Sequence, residues 1–251
     1  MTPSCRHCGG TGYYVPDLPP AHPQYGKAIR CNRCDSGLAA RSGLNDQEMR
    51  LTAASIQGRN HTAAALRHLV DYIVKQPSGW LVLWGDYGTA KTLCVQAIVA
   101  GCLRANIPSR FYHAKRLEQG WFDDMQGDTA YGRSYREIPV LAIDEIDKIN
   151  LRSDWVRAGL QELLDSRYRA GIAGTQLTLL ICQTDPATVL PGDITSRMND
   201  GRFYRPWTGG ENKHAVNRWG VQCLPGVIRV QGADARPMLR PQGVARAEVQ
   251  P

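Results

Sequence analysis

Two groups of residues have types and spacings that could do chemistry. The first is the octapeptide GDYGTAKT, Gly85 to Thr92, which reads G-x-x-x-x-A-K-T. A glycine-rich turn of this form wraps backbone N–H groups around phosphates at a helix N-terminus. Its lysine reaches the outer phosphates and the next hydroxyl ligates magnesium. The apolar run Leu81–Trp84 precedes it and Leu93–Ala100 continue as a helix, the context such a loop needs. The candidate phosphate-binding residues are therefore Gly85, Asp86, Tyr87, Gly88, Thr89, Ala90, Lys91 and Thr92. Ala90 stands where these loops carry glycine, and its methyl group is expected to cost little provided that φ is negative at the helix start.

A second string, VLAIDEIDKI (Val140 to Ile149), is an apolar strand ending in adjacent acids. Alone it reads as a solvated acidic turn after a buried strand. Beside a phosphate loop, Asp144 can hold magnesium and Glu145 can orient and polarise an attacking water, an arrangement for hydrolysis rather than binding alone.

The other chemical group is N-terminal. Cys5-Arg-His-Cys8 and Cys31-Asn-Arg-Cys34 form C-x2-C-x22-C-x2-C, and four thiolates in two such knuckles give the tetrahedral sulfur site that zinc accepts. A redox pair is the rival reading. Cys94, Cys102, Cys182 and Cys223 have no ligand spacing, and Cys94 and Cys102 fall on one helix as expected core residues.

The elements that position these groups follow from periodicity. Leu66, Leu69, Val70, Ile73 and Val74 recur at helical spacing before Pro77. Strands are expected at Trp80–Trp84, Arg110–His113, Val140–Ile143 and Leu177–Cys182, alternating with helices at 91–104, 114–125 and 153–169. Such alternation predicts an α/β fold, a parallel sheet with helices on its faces. Gln126–Ile138 reads as a mobile loop carrying Arg133 and Arg136. The chain divides into a zinc-binding module (1–40), a polar linker (41–60) with helical character around Asp46–Ser55, the main domain (61–220) and a tail (221–251) that is extended or partly disordered; a short hairpin around Val227–Val230 is the competing reading.

The chain of 251 residues contains no apolar run of the roughly 18–20 residues that a membrane span needs, and its start lacks the pattern of a signal peptide. A cytoplasmic protein without membrane contact is expected. The net charge of +7 suits an anionic partner such as nucleic acid, but its scattered cations equally suit a merely basic surface.

The motifs GWLVLWGDYGTAKT, VLAIDEIDKI, DWVRAGLQELLDSRYRAG, QLTLLICQTDP and DITSRMNDGRF follow in an order that resembles AAA+ ATPases of the DnaC/IstB-like group, which includes bacterial and phage helicase loaders. The resemblance covers about residues 60–218 and implies a P-loop NTPase fold of the AAA+ type; the cysteine spacing places a small zinc-ribbon-like module before it. It also implies ATP as substrate with magnesium, ATP-dependent homo-oligomers, and a replicative helicase and single-stranded DNA as partners. By the same resemblance, sensor 1 falls on Thr184 with Gln183 as the alternative, Arg197 matches the arginine finger, and Lys213 stands near the place of sensor 2. DNA would meet Lys115, Arg116, Arg133 and Arg136, with Trp121, Phe122, Tyr131 and Tyr135 either stacking on bases or packing in the core. The N-terminal module would dock the helicase, with direct DNA contact as the alternative. Two other functions remain open: an IstB-like transposition ATPase that recruits a transposase, and a zinc-containing nucleic-acid-binding adaptor with a non-hydrolysing ATP site.

Overall fold

A computed structural model of the chain describes residues 6–8, 13–31, 42–58, 61–125, 132–198, 200, 204–207, 222–225 and 227–230; at 30, 61, 122–125, 132–134, 204–207 and 222–225 it describes the backbone only. The alternating pattern folds as expected. Five strands, β3 (Gly79–Trp84), β4 (Ser109–His113), β5 (Val140–Asp144), β6 (Leu177–Ile181) and β9 (Val227–Arg229), form one sheet in the order β4-β5-β6-β3-β9. Every pairing within it is parallel. Two small antiparallel pairs stand apart, β1 (Tyr13–Tyr14) with β2 (Ile29–Arg30) and β7 (Tyr204–Trp207) with β8 (Gln222–Pro225).

Successive side chains of a strand point to opposite faces, and here each face has its own core. Leu81, Leu83, Leu179 and Ile181 pack against α1 (His61–Lys75) and α2 (Lys91–Arg104), with Leu66, Leu69, Ile73, Cys94, Val95 and Ile98 among the buried partners. Trp80, Val82, Leu141 and Ile143 pack on the other face, against Leu117 of α3 (Ala114–Met125) and Val156, Leu160 and Leu164 of α5 (Asp154–Ile172). β5 and β6 are buried at every position, as expected of central strands covered by helices on both sides. Cys94 and Cys102 lie in the first core, matching their expected packing role.

Three segments differ from expectation. The linker has its expected helical character around Asp46–Ser55, as two 3-10 turns, Glu48–Arg50 and Ala53–Ser55, but it is packed rather than merely polar: Leu44, Met49 and Ile56 are buried and the turns lie against α2. Gln96 Nε2 donates to Glu48 Oε1 at 2.9 Å, and Arg104 Nη1 donates to the Met49 carbonyl at 2.6 Å. The expected loop 126–138 contains the short helix α4 (Gly132–Glu137). Its C-terminal carbonyls are held by Arg167 of α5, which is fully buried and donates to Tyr135 O (3.0 Å), Ile138 O (2.9 Å), Thr178 Oγ1 (2.8 Å) and Leu177 O (2.6 Å). The chain beyond 220 supplies β8 and β9, and β9 is a parallel edge strand of the main sheet rather than part of a hairpin around Val227–Val230. Residues 231–251 lie outside the described residues. Among the described residues no helix is long and apolar enough to cross a membrane.

Candidate active site

The C-terminal ends of β3, β5 and β6 point to one side of the sheet, which is where ligands bind in open parallel α/β folds. An open cleft of about 410 Å³ lies there, lined by Tyr87–Leu93, Asp144, Glu145, Ile181 and Gln183. Its floor is the Tyr87–Thr92 part of the octapeptide. Gly85 has φ 128° and Gly88 φ 74°, both left-hand-side conformations suited to glycine. At Gly85 space matters as well, since a Cβ there would lie 2.2 Å from the Val230 carbonyl oxygen at the end of β9.

Ala90 departs from expectation. It adopts φ 64° and ψ 20°, the left-handed conformation, immediately before α2. The methyl group is therefore strained, because in this region Cβ crowds the following carbonyl. The first helical bond still forms, from Cys94 N to Ala90 O at 2.9 Å.

Lys91 is buried at the base of the loop, and its Nζ donates to the carbonyls of Gly85 and Asp86 at 2.6 Å each and to Thr89 Oγ1 at 3.3 Å. Burial lowers its pKa, and the charges of Asp144, Asp86 and Asp147 work against that shift. Thr92 Oγ1 donates to Asp144 Oδ2 at 3.0 Å across the cleft, joining the two motifs. Asp144 is 4% exposed, and burial raises its pKa; the Thr92 hydroxyl, His113 and the Glu145 N–H oppose the shift. Its nearest basic side chain on β4 is His113, with Nδ1 3.9 Å from Oδ2. A hydroxyl and a buried carboxylate that share one point are the oxygen donors magnesium takes beside substrate phosphates.

Glu145 follows at φ 56° and faces the cleft. Its Oε1 pairs with Lys148 Nζ, and Gln183 Nε2 lies 3.5 Å from the same oxygen. Of the two sensor 1 candidates, only Gln183 lines the cleft. Thr184 is exposed, and its backbone N donates to Asp147 Oδ2 at 3.1 Å, as does that of Gln183. Asp147 and Lys148 received no role from the sequence, although the string D-E-x-D-K contained them.

The remaining site residues lie elsewhere. Arg197, on α6 (Gly192–Met198), does not line the cleft; its Nη2 pairs with Asp165 at 2.7 Å, its Nη1 with Asp193 at 3.4 Å, and its guanidinium lies 5.8 Å from the Tyr168 ring centroid. Lys115 and Arg116 are exposed on α3. Arg133 lies on α4 with its side chain outside the described residues, and Arg136 pairs with Glu162 at 2.8 Å. Tyr135 is a core residue at 1% exposure, and Trp121 packs on α5 with its ring about 3.5 Å from where a Gly159 Cβ would stand, so both take the packing alternative. The Phe122 side chain, Tyr131 and Lys213 lie outside the described residues.

In the N-terminal module Cys8 and Cys31 are buried, while Cys5 and Cys34 lie outside the described residues. Tyr13 pairs with Arg30, which brings the chain entering β1 and the chain leaving β2 to the same end of the strand pair. Among the described residues no three His, Cys, Asp or Glu side chains gather as a metal cluster.

Residues 81–204 match the family model described as ATPase family associated with various cellular activities (AAA). No curated protein matches the sequence. The fold is similar to that of the DnaC helicase loader, at 17% identity and a TM-score of 0.51 over 61% of this chain and 94% of that one. It is similar to DnaI at 17% identity and a TM-score of 0.51, over 62% and 90%. AMPPCP-bound DnaA from Aquifex aeolicus matches at 13% identity and a TM-score of 0.51, over 59% of this chain and 47% of that one. The chain thus spans about half the length of the DnaA structures bound to AMPPCP. Likeness at such identities concerns the fold. Together with the parallel five-stranded sheet, the phosphate loop and the acidic strand tip, it supports a P-loop α/β fold, within which residues 81–204 match the AAA model.

Proposed function

We propose that the protein is an ATP-hydrolysing helicase loader of DNA replication, which oligomerises on ATP and delivers a replicative helicase to single-stranded DNA. The observation that carries the hydrolytic part is the Thr92–Asp144 contact of 3.0 Å with Glu145 beside it in the same cleft. ATP would lay its phosphates along Gly85–Thr92, with the Lys91 ammonium exchanging its bonds to the loop carbonyls for phosphate oxygens. Thr92 and Asp144 would hold magnesium, which offsets phosphate charge when bound. Glu145 orients the attacking water and Gln183 serves as sensor 1. Arg197 acts in a neighbouring subunit, for which it must leave Asp165 and Asp193, exposed or half-buried pairs of the kind worth about 0–1 kcal/mol each.

The loader assignment draws support from likeness to structures described as the DnaC helicase loader and DnaI, and from the net charge of +7. Lys115, Arg116, Arg133 and Arg136 would meet the strand's phosphates, and Lys213 is the sensor 2 candidate. Cys5, Cys8, Cys31 and Cys34 would bind one zinc ion in the module that docks the helicase. Their thiolate chemistry fits that ion, and the Tyr13–Arg30 pairing, which sets the start of β1 beside the end of β2, is compatible with it.

The test combines catalysis and capture. Wild type should hydrolyse ATP, Lys91→Ala should lose ATP binding, and Glu145→Gln should bind without turnover. A replicative helicase should be retained by the full chain differently in ATP and in ADP. Retention of a transposase instead would favour the transposition reading, and ATP binding with no turnover would favour the adaptor.

A further inference from the structure

Asp147 has no place in the scheme above, yet it joins the two strand tips that frame the cleft. It lies in the Ile146–Lys148 turn that starts at Glu145. Its Oδ2 accepts the backbone N–H groups of both Gln183 and Thr184 at 3.1 Å. Those groups come just after Cys182, whose own N–H still reaches Leu83 O of β3 at 2.9 Å. The carboxylate therefore takes over where the strand ladder ends, and bonds to a charged acceptor are stronger than neutral ones. Its other oxygen, Oδ1, is buried and meets no hydrogen-bond donor among the described residues, so the bonded role of this side chain is directed at the 183–184 backbone. On that backbone hangs the Gln183 amide, 3.5 Å from Glu145 Oε1.

We propose that Asp147 is a positioning residue for ATP hydrolysis: by clamping the backbone of Gln183 and Thr184 to the turn that follows Glu145, it sets the Gln183 amide and the Glu145 carboxylate around one water. The inference rests on the hydrolytic reading. It differs from a merely structural role in acting through Gln183.

The experiment uses the full chain with Asp147→Ala, Asp147→Asn, Gln183→Ala and the Asp147→Ala/Gln183→Ala double variant, reading kcat, KM and backbone amide exchange. Asp147→Ala should lower kcat about ten- to hundredfold, as a misplacement of about 1 Å near the chemistry does, while KM moves less than about twofold. Asp147→Asn keeps an oxygen acceptor and should recover most of the rate. In the Gln183→Ala background the Asp147→Ala change should cost less than about a further twofold. Amide exchange at 183 and 184 should quicken about tenfold in Asp147→Ala. An unchanged kcat, additive losses in the double variant, or a KM that rises in step with the fall in kcat would overturn the proposal. If wild type shows no turnover, the hydrolytic reading fails on its own, and unchanged exchange at 183–184 would separately overturn the clamp. Should Asp147→Ala fail to fold, Asp147→Ser, too short to reach both N–H groups, carries the same expectations.

Discussion

Replacing Ala90 by glycine turns a backbone angle into a measurable sign. At φ 64° and ψ 20° the alanine sits in a region that costs an L-residue roughly 1–2 kcal/mol, and glycine removes that cost. Two losses oppose the gain. Glycine widens the unfolded ensemble by about 0.4–1 kcal/mol. The methyl group, half-buried against the core beside α2, gives up about 0.4 kcal/mol, half the value of a fully buried carbon. Mid-range values leave Ala90→Gly more stable by about 0.4 kcal/mol. With φ negative, as the sequence suggested, only the losses would remain and the variant would be less stable by about 1 kcal/mol. Urea unfolding of the nucleotide-free protein separates the two, provided the m-value is unchanged. A loss of about 1 kcal/mol, or about 2–4 °C in Tm, would refute the left-handed assignment.

Asp144→Asn tests the burial of a charge. Because the folded pKa is raised above the unfolded one, ionisation opposes folding at neutral pH, and the penalty fades as pH falls through the raised value. The variant should thus gain about 0.5–2 kcal/mol of stability at neutral pH while losing turnover, with the gain shrinking toward acid; lower stability at neutral pH would contradict it. Arg167→Ala removes the donor to Thr178 Oγ1 and to the carbonyls of Tyr135, Ile138 and Leu177, and at about 1–3 kcal/mol for a buried acceptor left unsatisfied should cost at least about 3 kcal/mol in urea unfolding, so a loss below about 1 kcal/mol would show that the network is not coupled to folding. Burial raises the thiol pKa of Cys94, Cys102 and Cys182, that of Cys102 to about 12. Mass mapping after alkylation near pH 8 should find these three unmodified in the native protein, and prompt labelling of any of them would disprove its inert packing.

The parts of the molecule legible in the sequence are those whose signal is local. Lys91–Arg104 and Ala114–Met125 form helices at the expected bounds, and the four strands expected inside the main domain appear within a residue of their expected ends. What escaped depends on distant partners. Val227–Arg229 is only three residues long and becomes a strand because Trp84 and its neighbours pair with it. Gly132–Glu137 is too short to stand as a helix alone, and its carbonyls are met by an arginine some thirty residues later. Met49 and Ile56 sit in a polar stretch without periodicity, so no repeat betrays their burial. At the site, the order of motifs named Lys91, Thr92, Asp144 and Glu145, but whether Gln183 or Thr184 faces the cleft turns on the register at the end of β6. The angle at Ala90 escaped for another reason: alanine has no left-handed preference, and the turn imposes it.

The contact between Gly85 and the end of β9 has a consequence for synthesis. Val230 N donates to Trp84 O at 2.7 Å, and the Val230 carbonyl lies against the first glycine of the phosphate loop. Val82 and its partner Val227 are 145 positions apart, the difference of their numbers. A nascent chain can therefore have made its whole phosphate loop, both acids and both central strands while the edge that backs Gly85 is still inside the ribosome. The nucleotide site becomes complete only once translation has passed Val230, which makes the first full encounter with ATP wait for a strand made long after the loop itself.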